Sequence, residues 1–200
     1  MFINTGKFKK MITNAWKLHH FIVGCVEGKY FFSDGACIIS VYRDMLPNKE
    51  KAAVIELIGE LPEEGQIMKT GKDMPSQYMI MSDVWEIEKI FNRCQCTMTV
   101  TRSLYQPPLN TYRVIQNRKD QKCFFVDNYF IDLFDRGSWT EDDSEPEGPK
   151  TIIDYPGTLY WQNRTMTFAV CPVSVPEDNE ELSAYLTLLE NIELPEDKYL

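Results

Sequence analysis

Residues 21–43, Phe-Ile-Val-Gly-Cys-Val-Glu-Gly-Lys-Tyr-Phe-Phe-Ser-Asp-Gly-Ala-Cys-Ile-Ile-Ser-Val-Tyr-Arg, decide the fold. Three runs rich in β-branched and aromatic residues are separated by Glu27-Gly28 and Asp34-Gly35. An acid followed by glycine admits the positive φ angles that a two-residue hairpin turn requires. Three antiparallel strands are therefore predicted, Phe21–Val26, Lys29–Ser33 and Ala36–Arg43. Just upstream, Phe8, Met11, Ile12 and Trp16 recur at helical spacing. With Thr5 as the cap, they predict a helix running through Lys17. The opposite face of that helix carries Lys7, Lys10, Asn14 and Lys17. The unit is a helix followed by a tight three-stranded meander.

Beyond Pro47 and Asn48 the pattern loosens. Lys49–Leu61 reads as a strand (Ala53–Ile58) or a short helix, because Val54-Ile55 followed by Leu57-Ile58 does not decide between the two periods. Glu63–Pro75 is polar and holds glycines, so a loop is expected. Asp83 is positioned to cap a helix through Arg93, with Val84, Ile87, Ile90 and Phe91 inward. Cys96–Arg102 alternates as a strand, and Pro107-Pro108 marks a turn. Thr111–Gln116 and Lys122–Val126 predict a hairpin. Asp127 caps a short helix, Asn128–Phe134. Gly137–Pro149 is acidic and almost free of aliphatic residues, which predicts a mobile loop. Thr151–Asp154, Gly157–Trp161 and Met166–Val173 read as strands, and Glu180–Leu189 as an acidic amphipathic helix followed by a loose tail. Helices mixed with antiparallel hairpins give an α+β fold.

Charge is distributed unevenly. The 200 residues carry 21 Lys+Arg and 30 Asp+Glu, a net −9. Residues 1–20 hold four lysines and no acid, whereas 136–150 carry −3 and 176–200 carry −7. Outside those two acidic segments the chain sums to +1, so acidity belongs to one stretch and one tail. At 44% hydrophobic and 26% charged, the chain is neither disordered, collagen-like nor a coiled coil. No apolar run reaches the roughly 18 residues of a membrane span, and Met1–Lys10 lacks a signal-peptide layout. Six cysteines without that layout predict a reduced, cytoplasmic protein that does not contact membrane.

Motifs that carry chemistry are missing. Gly6-Lys7 and Gly71-Lys72 lack the upstream glycine and downstream Ser/Thr of a phosphate loop. The only two histidines, His19 and His20, are adjacent at a helix–strand junction and cannot serve two separate roles. Cys94-Gln95-Cys96 has the wrong spacing for a zinc knuckle, and small apolar strand residues are the simpler reading. No catalytic residue, metal ligand or cofactor is assigned, and an enzyme is not expected.

Three segments resemble the DNA sliding clamps, the bacterial β clamp and its eukaryotic and phage relatives. Phe31-Phe32-Ser33-Asp34-Gly35-Ala36-Cys37-Ile38 is similar to the clamp strand turn aliphatic-Ala-Thr-Asp-Gly-His-Arg-Leu. Ser33 takes the Thr position, and Ala36-Cys37 replaces the His-Arg pair. The stretch from Phe125 to Leu133 resembles a clamp strand leading into a Tyr- and Leu-containing helix. Phe168–Val175 resembles the strand that closes the bacterial clamp's last domain. The resemblance spans Ile3–Arg43 and Lys122–Val175 and leaves the middle third unmatched. It implies a single clamp-like α+β domain with insertions over 1–175, residues 136–150 being an acidic mobile loop, followed by an acidic helix and tail over 176–200.

The resemblance also implies a role. Clamps line a central hole with lysine- and arginine-bearing helices, whose sequence-independent attraction to phosphates lets a ring slide. Lys7, Lys10 and Lys17 would be the DNA-binding residues, or simply the solvent face of an amphipathic helix. The clamp reading gains if these lysines share one concave surface with other bases such as Arg113 or Arg118, and loses if the helix is buried or faces acids. Clamps close as rings of several domains, so one domain would need homo-oligomerisation, with Lys29–Ser33 or Thr165–Val173 as candidate seams; a monomeric relative is the alternative. The implied protein is a processivity factor, encoded by a phage or mobile element, with double-stranded DNA and replication proteins as partners. A different class remains open: an acidic interaction module, a DNA mimic or adaptor that binds no DNA. Ile192-Glu193-Leu194-Pro195 has the look of a short docking peptide, against the simpler expectation of a frayed terminus.

Overall fold

The computed structural model describes residues 1–79, 86–135, 137, 145–152, 155–175 and 179–198. The predicted opening unit is present: α1 (Thr5–Lys17) is followed by β1 (Phe21–Val26), β2 (Lys29–Ser33) and β3 (Cys37–Tyr42). Glu27 and Gly28 both take positive φ, 51° and 72°, as the primed hairpin turn requires. At the second turn Asp34 accepts from the amides of Ala36 and Cys37, both at 2.9 Å. Phe8, Met11, Ile12 and Ala15 bury the inner face of α1.

The helix cap is Asn4 rather than Thr5: Asn4 Oδ1 accepts from the Lys7 amide at 3.1 Å. Thr5 lies one residue inside, and its hydroxyl donates to Glu50 on the next helix, α2 (Asn48–Ile58). The 48–58 stretch is therefore helical, because Glu50, Ala53 and Val54 turn one buried face toward α1. Glu63–Pro75 is not a loop throughout. It contains β4 (Ile67–Gly71) and the start of β5 (Met74–Tyr78). Ile67 and Met68 are buried, whereas most of β5 is exposed, which is why the hairpin reads as polar.

The remaining elements are α3 (Ile87–Arg93), β6 (Cys96–Tyr105), β7 (Tyr112–Asn117), β8 (Cys123–Asp127), α4 (Asn128–Ile131), β9 (Glu147–Ile152), β10 (Tyr155–Gln162), β11 (Met166–Val170) and α5 (Glu180–Leu189). The expected cap Asp83, with Val84, lies outside the described residues, as does most of the expected loop 137–149. Glu147–Pro149 of that expected loop belong to β9 instead. The helix after Asp127 is one turn shorter than expected, and Phe134 bridges to Ile3.

All the strands join one antiparallel sheet in the order β5-β4-β1-β2-β3-β11-β10-β9-β6-β7-β8. The β3–β11 pair is flanked by one three-stranded meander on each side, β1–β3 and β9–β11, which mirror each other in order. Each meander follows a helix, α1 before β1–β3 and α4 before β9–β11. The two strands expected as assembly seams are interior: β2 pairs with β1 and β3, and β11 with β3 and β10. The sheet edges are β5 and β8.

One contiguous apolar cluster covers one face of the sheet. Phe8, Ala53 and Ile131 from α1, α2 and α4 meet Phe32, Ile39, Trp161, Ile115 and Val126 there. Strand alternation sends Ile38, Tyr160 and Ala169 to the opposite face, against Ile87 and Phe91 of α3. Val114 and Phe125 likewise point away from the main cluster, onto Leu182 of α5. Among the described residues no helix is long and apolar enough to cross a membrane. The architecture is α+β, a large antiparallel sheet with helices on both faces.

Candidate nucleic-acid interface

The lysine face of α1 follows directly from the packing of its apolar face. With Phe8, Met11, Ile12 and Ala15 turned to the sheet, Lys7, Lys10, Asn14 and Lys17 are all exposed. Ten residues of α-helix rise about 15 Å, so the stripe is an extended row rather than a point. Lys17 lies in the last turn, where the helix dipole favours a cation.

Neighbouring elements hold the row in place. The Lys7 ammonium donates to the backbone carbonyl of Asp132, just past α4. Lys9, off the stripe, is paired with Glu56 of α2 at 2.6 Å. At the other end of α1, His19 takes φ 62° and turns the chain into β1. His19 rests on Gly71, where a β-carbon would lie 2.4 Å from its Nδ1. The β4–β5 turn is tied to the same helix end, the Lys72 amide donating to Trp16 O at 3.0 Å. That tie brings the exposed Lys72 to the Lys17 end of the row. Sequence alone does not point to Lys72, because the hairpin that places it reads as a polar loop.

Arg113 and Arg118 do not join the row. Arg113 donates to Asn128 and to Thr101 O, and pairs with Asp197 at 3.2 Å. Arg118 donates to Thr99 and Gln116 and pairs with Glu193 at 3.5 Å. Both arginines are engaged with the segment that follows α5. The helix preceding the second meander contributes no base: Asp127 caps α4 at the Tyr129 amide, and Asp132 accepts from Asn128 at 3.0 Å. The symmetry of the strands thus does not extend to charge.

The acidic segment lies across the sheet. α5 bears Glu180 and Glu181 in its first turn and packs on Val114, Cys123 and Phe125, the face opposite α1. Bases on α1 and acids on α5 are separated by the thickness of the sheet.

Three of the thiols are held in the protonated form. Burial pushes Cys25 up to about 11, helped by a hydrogen bond with Glu64. Burial, then the Glu190 carboxylate, pushes Cys123 up to about 11. Cys37 is held well above its ordinary value by burial and by Asp34. A raised thiol is a poor source of thiolate. Among the described residues no group of three or more His, Cys, Asp or Glu is arranged to hold a metal ion.

No protein-family model matches the chain, and no curated protein sequence matches it. The solved structures to which it is similar include three from bacteria. The DNA polymerase III beta chain of Streptococcus pneumoniae is 11% identical, with a TM-score of 0.34, covering 90% of this chain and 66% of that one. The sliding clamp (DNA polymerase III subunit beta) of Pseudomonas aeruginosa, bound to griselimycin, is 11% identical with a TM-score of 0.35, covering 88% and 64%. The beta subunit from the DNA polymerase of Streptococcus pyogenes is 12% identical with a TM-score of 0.36, covering 90% and 66%. The chain spans just under two thirds of the length of these structures.

Proposed function

We propose that the chain is a non-enzymatic, clamp-like scaffold that associates with duplex DNA through the exposed row Lys7, Lys10, Lys17 and Lys72 on the α1 side. In this reading it serves as a processivity factor beside replication proteins, in assemblies of several copies. The observation that carries the reading is the separation of charge by the sheet, with lysines on α1 and carboxylates on α5. A face of exposed lysines attracts phosphates without reading bases, and the attraction weakens as added salt reduces the gain from counterion release. Acids on the far face keep DNA to one side of the sheet.

Fluorescence anisotropy with a labelled duplex, from 50 to 200 mM salt, tests the proposal. Binding should be strong at the low end and fall steeply. The triple variant Lys7→Ala, Lys10→Ala, Lys17→Ala should lower the slope of log affinity against log salt by about 2–3, at roughly 0.9 for each phosphate no longer neutralised. Absence of any duplex binding at low salt sinks the reading. It would favour an acidic interaction module instead, for which the exposed carboxylates of α5 supply the surface.

A further inference from the structure

Residues 192–197 follow α5, and instead of trailing away they lie as an extended peptide across β6 and β7. Gln116, fully buried on β7, reads their backbone with both ends of its side-chain amide. Its nitrogen donates to Ile192 O at 2.8 Å, and its oxygen accepts from the Leu194 amide at 2.9 Å. A strand-like pairing continues the contact: the Arg102 amide donates to Pro195 O and the Asp197 amide to Val100 O, both at 2.9 Å. Thr101 and Glu196 form an antiparallel bridge between those two bonds.

Two side chains anchor the peptide. Leu194, 4% exposed, fills an apolar seat made by Val114, Cys123, Phe125 and Leu182. Asp197 pairs with Arg113, the two side chains being 17% and 12% exposed. Arg118 stands over Glu193 at the other end. Backbone bonds for affinity, one apolar socket and flanking arginines for selectivity are the physics of strand-addition peptide recognition.

We propose that this seat is a peptide-docking groove, held in cis by the chain's own 192–197 segment. It takes, in exchange, an extended partner peptide with an aliphatic residue followed three positions later by a carboxylate. The chemistry of the occupant is read from the segment already seated. Leu194 and Asp197 are spaced three apart, and the seat's own charges, Arg113 and Arg118, answer acidic residues at both ends. A tethered occupant acts at an effective concentration in the millimolar range, so a free peptide competes poorly until the cis segment is released. The groove is independent of the α1 row, and its test does not depend on DNA.

The probe is a fluorescent peptide copying residues 190–198, titrated against the full chain. Wild type should bind it weakly. A variant carrying Leu194→Ala and Asp197→Ala, which frees the groove, should bind at least about tenfold more tightly. A control peptide with alanine at the leucine position should fail to bind that variant. Equal, weak binding to both proteins overturns the proposal. So does a variant that no longer melts cooperatively, because the segment is then part of the core rather than an occupant. Concentration-dependent dimers with no gain in peptide binding would overturn it in favour of segment exchange between copies.

Discussion

Gly24 stands opposite Phe31 in the β1–β2 register, and the ring lies across the space that a side chain would take. A β-carbon there would sit 2.3 Å from Phe31 Cζ and 2.8 Å from the Gln66 carbonyl oxygen. The ring has some freedom to move, but the backbone oxygen has little. Gly24→Ala should therefore destabilise the protein by about 1–3 kcal/mol, the ordinary cost of overpacking. Urea denaturation measures it as a lower midpoint at unchanged slope. Phe31→Leu removes the ring tip, so the double variant should lose less than the two single losses added together.

At the scale of elements, α1 and α2 are joined through a polar contact inside an apolar interface. The Thr5 hydroxyl donates to Glu50, a carboxylate only 2% exposed, whose second oxygen has no hydrogen-bond partner among the described residues. Thr5→Val keeps the shape and removes that donor. It should cost about 1–3 kcal/mol, since a buried acceptor loses its partner. Hydrogen exchange should quicken in α1 and α2 before it does in β3. The same pair marks where the sequence stops being legible. Asp-Gly and Glu-Gly turns, and the spacing of Phe8, Met11 and Ile12, act between near neighbours, so α1 and the first meander follow from local rules. The assignment of 48–58 depends on Ala53 and Val54 meeting a helix some forty residues earlier. The β4–β5 edge hairpin keeps its polar side chains outward and lacks a strand signal. The stripe Lys7, Lys10, Lys17 is visible as helical spacing, whereas Lys72 joins it only through a backbone bond to Trp16. The seating of Leu194 by Gln116 joins residues 78 apart and leaves no periodic trace.

For the whole molecule, burial acts clearly on two thiols and a phenol. Burial raises Cys25 and Cys123 to about 11 from an ordinary 9.0, and Tyr129 to about 12 from 10.0. The folded state thus keeps protons that the unfolded chain releases. Between pH 9 and 11 the unfolded thiols are ionised and the folded ones are not, so stability falls as pH rises through that window. Below pH 9 these groups contribute no pH dependence. Thermal melts should show a decline in Tm starting near pH 9. Replacing Cys25 and Cys123 together with alanine should flatten the decline, even though it lowers Tm at neutral pH. A decline of unchanged steepness would show that other groups carry it.

The β3–β11 pair at the centre of the sheet joins Val41 to Met166 and Cys37 to Val170. Within each flanking meander the paired strands are near neighbours in sequence, but this seam must bring together strands roughly 130 residues apart in the chain, and pairings of such separation are the slow ones to form. The two meanders can appear early and independently, while the search for their shared seam sets the pace. During that interval the facing edges of β3 and β11 are unpaired, each an open template for the strand of another nascent chain. Yield on refolding should therefore be governed by protein concentration and not by the stability of the finished sheet.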